Sequence, residues 1–383
     1  MSGRASKFFM RLLQTTSFLL IALVQMASAQ TPVGVRVPTS PAPPARGAAA
    51  QPPAPVPVAS SPALTAPTVD VIDYYGFNKV TRDRVRKTLG FKEGDPFPSS
   101  KANVEERLDE IPGIVESHLE AVCCDQGKMV LYVGIEERGA VHFDLREAPE
   151  GDVMLAPEIM ALYRRYFDAF EDAVRHGSTA EDLTHGHSLM ADALVREIQL
   201  QFPAVVEAHL GELRNVLRNS ADDEQRGIAA FLIGYAPKKD QVAEDLQFAL
   251  RDADPGVRAN AARALVALAV YARLNAGSGI KLEPTWFVEM LNSLSWSDRE
   301  RALNALQILT DGRDAPMLEQ LRNRALPALV EMSRWKTLQH ALPAFVLTGR
   351  VAGLSEQQIQ DAWTRGDRES VIAAATGGGK KAR

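Results

Sequence analysis

The sequence predicts a multidomain chain: a small α+β domain followed by an all-α superhelix of helical repeats. Between Val69 and Glu137, β-rich runs alternate with two short stretches at helical spacing. From position 206 onward, an acidic–arginine turn followed by an alanine- and leucine-rich helix recurs, first after 32 residues. Paired helices at periods in the thirties to forties read as a stacked array, an α-solenoid in which each repeat buries its apolar face on its neighbours.

The 383 residues suffice for several domains with a sizeable core. A formal charge of −5 is small for this length and lacks the basic excess of a nucleic-acid binder. Arg4, Lys7 and Arg11 precede the short apolar run Phe18–Val24, and Ala27-Ser28-Ala29 fits an A-x-A cleavage site. Residues 1–29 therefore read as a secretory signal, with a run too short for a span of about 20 residues. The expectation is a secreted, periplasmic protein with no stable membrane span after cleavage. Residues 30–68 form a Pro/Ala-rich disordered linker: eleven of the chain's 23 prolines fall there and no acidic residue precedes Asp70. Proline fixes φ and removes a donor, which favours extended chain over a packed core.

In the α+β domain, 69–137, Val69, Ile72 and Tyr74 lie in the first strand. Thr81 is placed to cap a helix with Val85 and Leu89 inward, and Ser99 or Ser100 a helix with Val104 and Leu108 inward. Asp125-Gln126-Gly127-Lys128 supplies a hairpin. Met129, Leu131, Val133 and Ile135 form one apolar face, and Val130, Tyr132 and Gly134 a mixed one. Cys123 and Cys124, the only cysteines, point to opposite faces of a strand. Their readings are one buried and one incidental thiol, a disulfide between neighbours, or metal or intermolecular pairing.

Residues 138–205 are a connecting helical region. Ala140–Leu145 reads as an extra strand. Ile159, Leu162, Tyr163, Tyr166, Phe167, Phe170 and Val174 form a core stripe. Ser178 with Glu181 reads as a capping box, and Ser188 as the cap of a helix after His187. Residues 206–355 hold the repeats: Asp222…Arg226, Asp254…Arg258, a looser copy at Trp296–Arg301 whose helix starts at Ala302, and a faint one at Ser333–Lys336. Arg226, Arg258 and Arg301 are read as structural repeat positions rather than a ligand patch. Residues 356–383 are a C-terminal helix and a disordered tail ending in Gly377-Gly378-Gly379-Lys380-Lys381-Ala382-Arg383.

Two family resemblances rest on these residues. The 69–137 unit resembles a POTRA domain through Tyr75-Gly76-Phe77-Asn78, Glu93-Gly94-Asp95-Pro96-Phe97, Ile111-Pro112-Gly113-Ile114-Val115 and Glu136-Glu137. The resemblance implies binding to cell-envelope proteins, with the strand Val115–Cys123 as an edge that accepts a partner strand. No barrel follows, which removes the usual membrane-insertion context. Asp254-Pro255-x-Val257-Arg258-x-x-Ala261-x-x-Ala264-Leu265 is similar to HEAT repeats, including those of phycobilisome lyase-like proteins. In that pattern Asp254 caps, Pro255 fits the first turn and Arg258 lies near the acidic cap of the next repeat. No lyase or bilin-binding residue is identifiable.

His176, His185 and His187 lie within 12 residues, and paired imidazoles can hold zinc or copper. No nucleophile elbow, HExxH, Walker or dinucleotide motif is present. The sequence thus reads as a non-catalytic protein-binding adaptor or scaffold without cofactor. Its rivals are a metal protein or enzyme using the three histidines, and a passive structural spacer.

Overall fold

The computed structural model describes residues 67–377 except 126 and 127, together with the backbone but not the side chains of Cys124 and Asp125. The signal, nearly all of the linker and the last six residues lie outside them. Of the linker, Pro67 and Thr68 are described: the Pro67 carbonyl accepts from Phe97 N at 3.1 Å, and Thr68 bridges Pro96. The described chain is mostly helical with a small mixed sheet.

β1 (Val71–Tyr75), α1 (Arg82–Leu89), α2 (Lys101–Asp109), β2 (Ile114–Asp125) and β3 (Lys128–Glu137) follow one another. The sheet order is β1-β3-β2, with β1 parallel and β2 antiparallel to β3. The Ser100 hydroxyl accepts from Asn103 N and caps α2, whereas Thr81 precedes α1 without a side-chain cap bond. One sheet face carries Ile72, Tyr74, Leu119, Leu131, Val133 and Ile135 against Val85, Leu89, Val104 and Leu108 of the two helices. This is the two-layer packing expected when each element buries one apolar face.

Residues 138–156 form no strand, contrary to the reading of 140–145. They cross the helical array as an extended strap. Arg146 N donates to Arg251 O at 2.8 Å, Arg251 Nε to Asp144 O at 3.0 Å, and Ala221 N to Gly151 O at 2.6 Å. Arg146 also lies 3.2 Å over the Phe248 ring. Tied to the array by these bonds, the segment joins no sheet.

α3 (Pro157–Arg175) buries Ile159, Met160, Tyr166, Ala169 and Phe170. The Ser178–Ser188 stretch is not a capped helix start. It is a short hairpin of β4 (Glu181–Asp182) and β5 (Leu189–Met190), and the Ser188 hydroxyl donates to Glu181 at 2.9 Å instead of capping. α4 (Ala193–Gln199) is capped by Asp192. Eleven α-helices follow α4 among the described residues. They are α5 (Phe202–Asn219), α6 (Asp223–Ile233), α7 (Ala243–Ala249), α8 (Pro255–Leu274), α9 (Thr285–Met290), α10 (Trp296–Leu309), α11 (Ala315–Arg324), α12 (Leu326–Met332), α13 (Leu338–Val351), α14 (Glu356–Thr364) and, closing the described chain, α15 (Arg368–Ala375).

α6, α8, α10, α13 and α15 pack each on the next, and α7, α9, α12 and α14 pack beside them. Asp222 and Asp254 cap α6 and α8 through their side chains, and Pro255 fills the first position of α8. Four residues after each cap, a buried arginine spans to the next turn. Arg226 grips the Asp252 carboxylate with two bonds of 2.9 Å and donates to the Ser220 and Ala221 carbonyls. Arg258 donates to Asp298 at 2.8–3.1 Å and to the Asp252 and Ala253 carbonyls at 2.8 and 2.9 Å. A planar fork suits this double task. In the third copy α10 begins at Trp296, not Ala302. The position four after its cap Ser295 is Arg299, which donates to Ser293 O at 2.5 Å. Arg301 is therefore not the repeat arginine.

Candidate functional site

The second face of the sheet is an internal interface. Tyr75, Val130 and Tyr132 leave the sheet core and join the cluster of the helical array. Tyr132 stacks on Trp296 at 4.9 Å, meets Trp335 at 4.8 Å, and shares a hydrogen bond with the His340 ring. Tyr75 donates its hydroxyl to Leu294 O at 2.7 Å, and the Arg299 guanidinium lies 4.4 Å over its ring. Where the ladder arginine of the third repeat would seek an acid, it finds this aromatic face. Gly134 makes the fit possible: a Cβ there would lie 2.4 Å from the Tyr75 ring. Paired aromatics of this kind contribute about 0.5–1.5 kcal/mol each beyond area burial.

Polar groups frame the aromatics. Asp73 accepts from Lys336 N at 2.9 Å and Thr337 N at 3.2 Å; burial pushes its carboxyl up, and those donors oppose the shift. Glu331 accepts from Gly76 N at 2.7 Å and pairs with Arg82 at 3.3 Å. Glu120 accepts from the Ser295 and Ser297 hydroxyls.

The β1 edge is closed as well. Ile72 N donates to Glu93 at 2.8 Å, Val69 N to Asp95 O at 2.9 Å, and Trp335 Nε1 to Tyr74 O at 3.3 Å. That leaves the outer edge of β2. Among the described residues no strand pairs with it. Leu119 N, turned away from β3, donates to Glu105 at 2.6 Å. By the two-residue alternation of an antiparallel ladder, Ala121 N faces the same way. Val115 is 52% exposed, and Glu116, Ala121 and Cys123 are exposed too. Burial raises the Glu116 carboxyl, helped by Glu136, Asp109 and Glu105, so this edge is acidic. Cys123 corrects the expectation of a buried and an incidental thiol: it is exposed and disulfide-bonded, because the end of β2 has passed beyond the core.

The three histidines do not converge. His176 Nδ1 bonds the Asp172 carbonyl at 2.8 Å, at the end of α3. His185 and His187 have ring centroids 6.2 Å apart, and His187 Nδ1 lies 2.9 Å from Lys239 Nζ. Burial, with the Lys239 charge beside it, pushes His187 down to about 4; burial brings Lys239 down to about 7. Among the described residues no three His, Cys, Asp or Glu side chains form a group that could hold a metal ion. No described helix is long and apolar enough to cross a membrane.

No protein-family model matches the chain, and no curated protein matches it.

Proposed function

We propose that this chain is a secreted, periplasmic, non-catalytic adaptor that binds other envelope proteins. A POTRA-like module presents the β2 edge, held rigidly on a HEAT-like array. The observation that carries the reading is the accounting of the sheet: both faces and the β1 edge are used internally, and among the described residues the edge of β2 has no strand partner. An added strand gains main-chain hydrogen bonds there, and the Glu105–Asp109–Glu116–Glu136 surroundings favour a basic partner segment. The strand-helix-helix-strand-strand order supports the POTRA likeness, and the stacked α6–α8–α10–α13 helices, with Asp caps on α6 and α8, support the HEAT likeness.

The test is crosslinking capture from the native envelope with the full chain and with Ala121→Pro. Proline removes an outward N–H and leaves the β3 ladder intact, so the fold persists while strand addition is blocked. The expected result is a reproducible partner captured by the parent and lost with Ala121→Pro. No reproducible partner with the parent refutes the adaptor and leaves a rigid spacer.

A further inference from the structure

A groove opens where the β4–β5 hairpin ends and α10 emerges beside α8. It is lined by Glu181 and Leu183 of the hairpin, Ala259, Ala262, Arg263 and Val266 of α8, and Arg301 and Asn304 of α10. The alanines give it a low apolar floor, and the arginines stand at its sides.

The two arginines differ from the ladder arginines. Arg263 donates through Nη2 to Glu181 and to Ser188 Oγ at 3.2 Å, but its Nε is buried without a partner. A buried donor left unbonded is costly, so this one favours an occupant that accepts from it. Arg301, half-buried, has no hydrogen bond or ion pair among the described residues. Asn304 bonds Glu300 at 2.7 Å, and the Arg301 charge acts on that carboxylate from a distance, so the guanidinium keeps its hydrogen-bond donors for the groove. The lining carries two cations and one anion, so it favours a negative group. Its cavity of about 30 Å³ admits about two water-sized atoms, which is the size of a carboxylate and smaller than a phosphate.

We infer that this groove receives the carboxylate of a partner protein's Glu or Asp side chain, with flanking apolar residues on the Ala259–Ala262 floor. This rests on the protein-binding reading and adds a second contact of opposite charge preference to the β2 edge. The two contacts would require a partner with a basic strand and an acidic residue elsewhere.

The test is fluorescence anisotropy of the full chain with capped, labelled pentapeptides carrying Glu, Asp or Gln at the centre and apolar flanks. Glu or Asp peptides are expected to bind about tenfold more tightly than Gln peptides, since hydrogen bonds to charged groups are the strong ones. Arg301→Gln removes that preference, the exposed-surface variant Arg84→Gln keeps it, and raised salt weakens it. Equal binding of Glu and Gln peptides, no binding of any of them, or a preference that survives Arg301→Gln overturns the inference. Any of these alongside intact Ala121-dependent capture overturns the groove alone and leaves the adaptor standing.

Discussion

Replacing Arg258 by Met tests the ladder directly. Arg258 is 4% exposed and Asp298 is fully buried. Without the guanidinium, Asp298 keeps only the Ser293 hydroxyl at 2.8 Å, and the Asp252 and Ala253 carbonyls lose their donor. Breaking a buried pair from one side costs about 3–5 kcal/mol, because the surviving charge is stranded. Asp298 sits in the first turn of α10, where the helix N-terminus favours its charge, so the lower half of that range applies. Adding Asp298→Asn removes the stranded charge and leaves two unbonded carbonyls, at about 1 kcal/mol each. The double variant should therefore be about 1–2 kcal/mol more stable than Arg258→Met alone. Urea unfolding followed by circular dichroism gives both numbers at constant slope. A cost below about 1 kcal/mol for Arg258→Met, or a double variant no better than the single, refutes the argument that the pair is structural.

Two further perturbations follow from the packing. Tyr132→Ala removes the ring between Trp296 and Trp335 and should cost about 3–5 kcal/mol while speeding trypsin cleavage at the strap arginines; unchanged cleavage would mean the sheet is not held by this face. Lys239, with a folded pKa of about 7 against an ordinary 10.5, loses its proton above pH 7 in the folded chain while the unfolded chain still binds it. Stability from this group therefore rises with pH between about 7 and 10.5. The parent should gain about 2 kcal/mol from pH 7 to 9 relative to Lys239→Met, read from urea midpoints at the two pH values; parallel curves would sink it. His187 acts in the same direction lower down, with stability lost as pH falls from 6.5 towards 4.

What the sequence disclosed follows the range of the forces involved. Asp254, Pro255 and Ser100 act within one helical turn, so their caps were readable from spacing alone. The β1-β3-β2 unit was readable because its apolar face alternates cleanly in Met129–Ile135. The 140–145 segment alternates too, yet a strand also needs a neighbour with free donors, and here Arg251 and Ser220 lie along its path. The third repeat was misplaced for a similar reason. Arg299 and Arg301 each follow an acid, Asp298 and Glu300, and only the cap at Ser295 shows which one reaches back to Ser293. The second sheet face left one signal: Tyr75, Tyr132 and Gly134 interrupt an otherwise mixed surface, and Trp296 and Trp335 open two repeat copies. Nothing local says that these aromatics meet across more than 150 positions.

That meeting also decides which surfaces are available for function. The turns before α6, α8 and α10 are joined by the arginine ladder, and the chain from Asp73 to Gly151 lies along these and along the turn before α13. This rim of the array is occupied by its own chain. An adaptor built this way cannot use the three-stranded sheet and the array as two independently swinging modules, because removing residues 69–137 would bare Trp296, Trp335 and the Lys336 and Thr337 amides. It can use them only as one rigid body. In that body the β2 edge stands beside the Ser295–Ser297 turn through Glu120, and α10 continues from that turn to Arg301. The strand edge and the groove are thus tied by a single helix. A partner touching both would be held in one fixed orientation, and neither contact would pay for ordering the other.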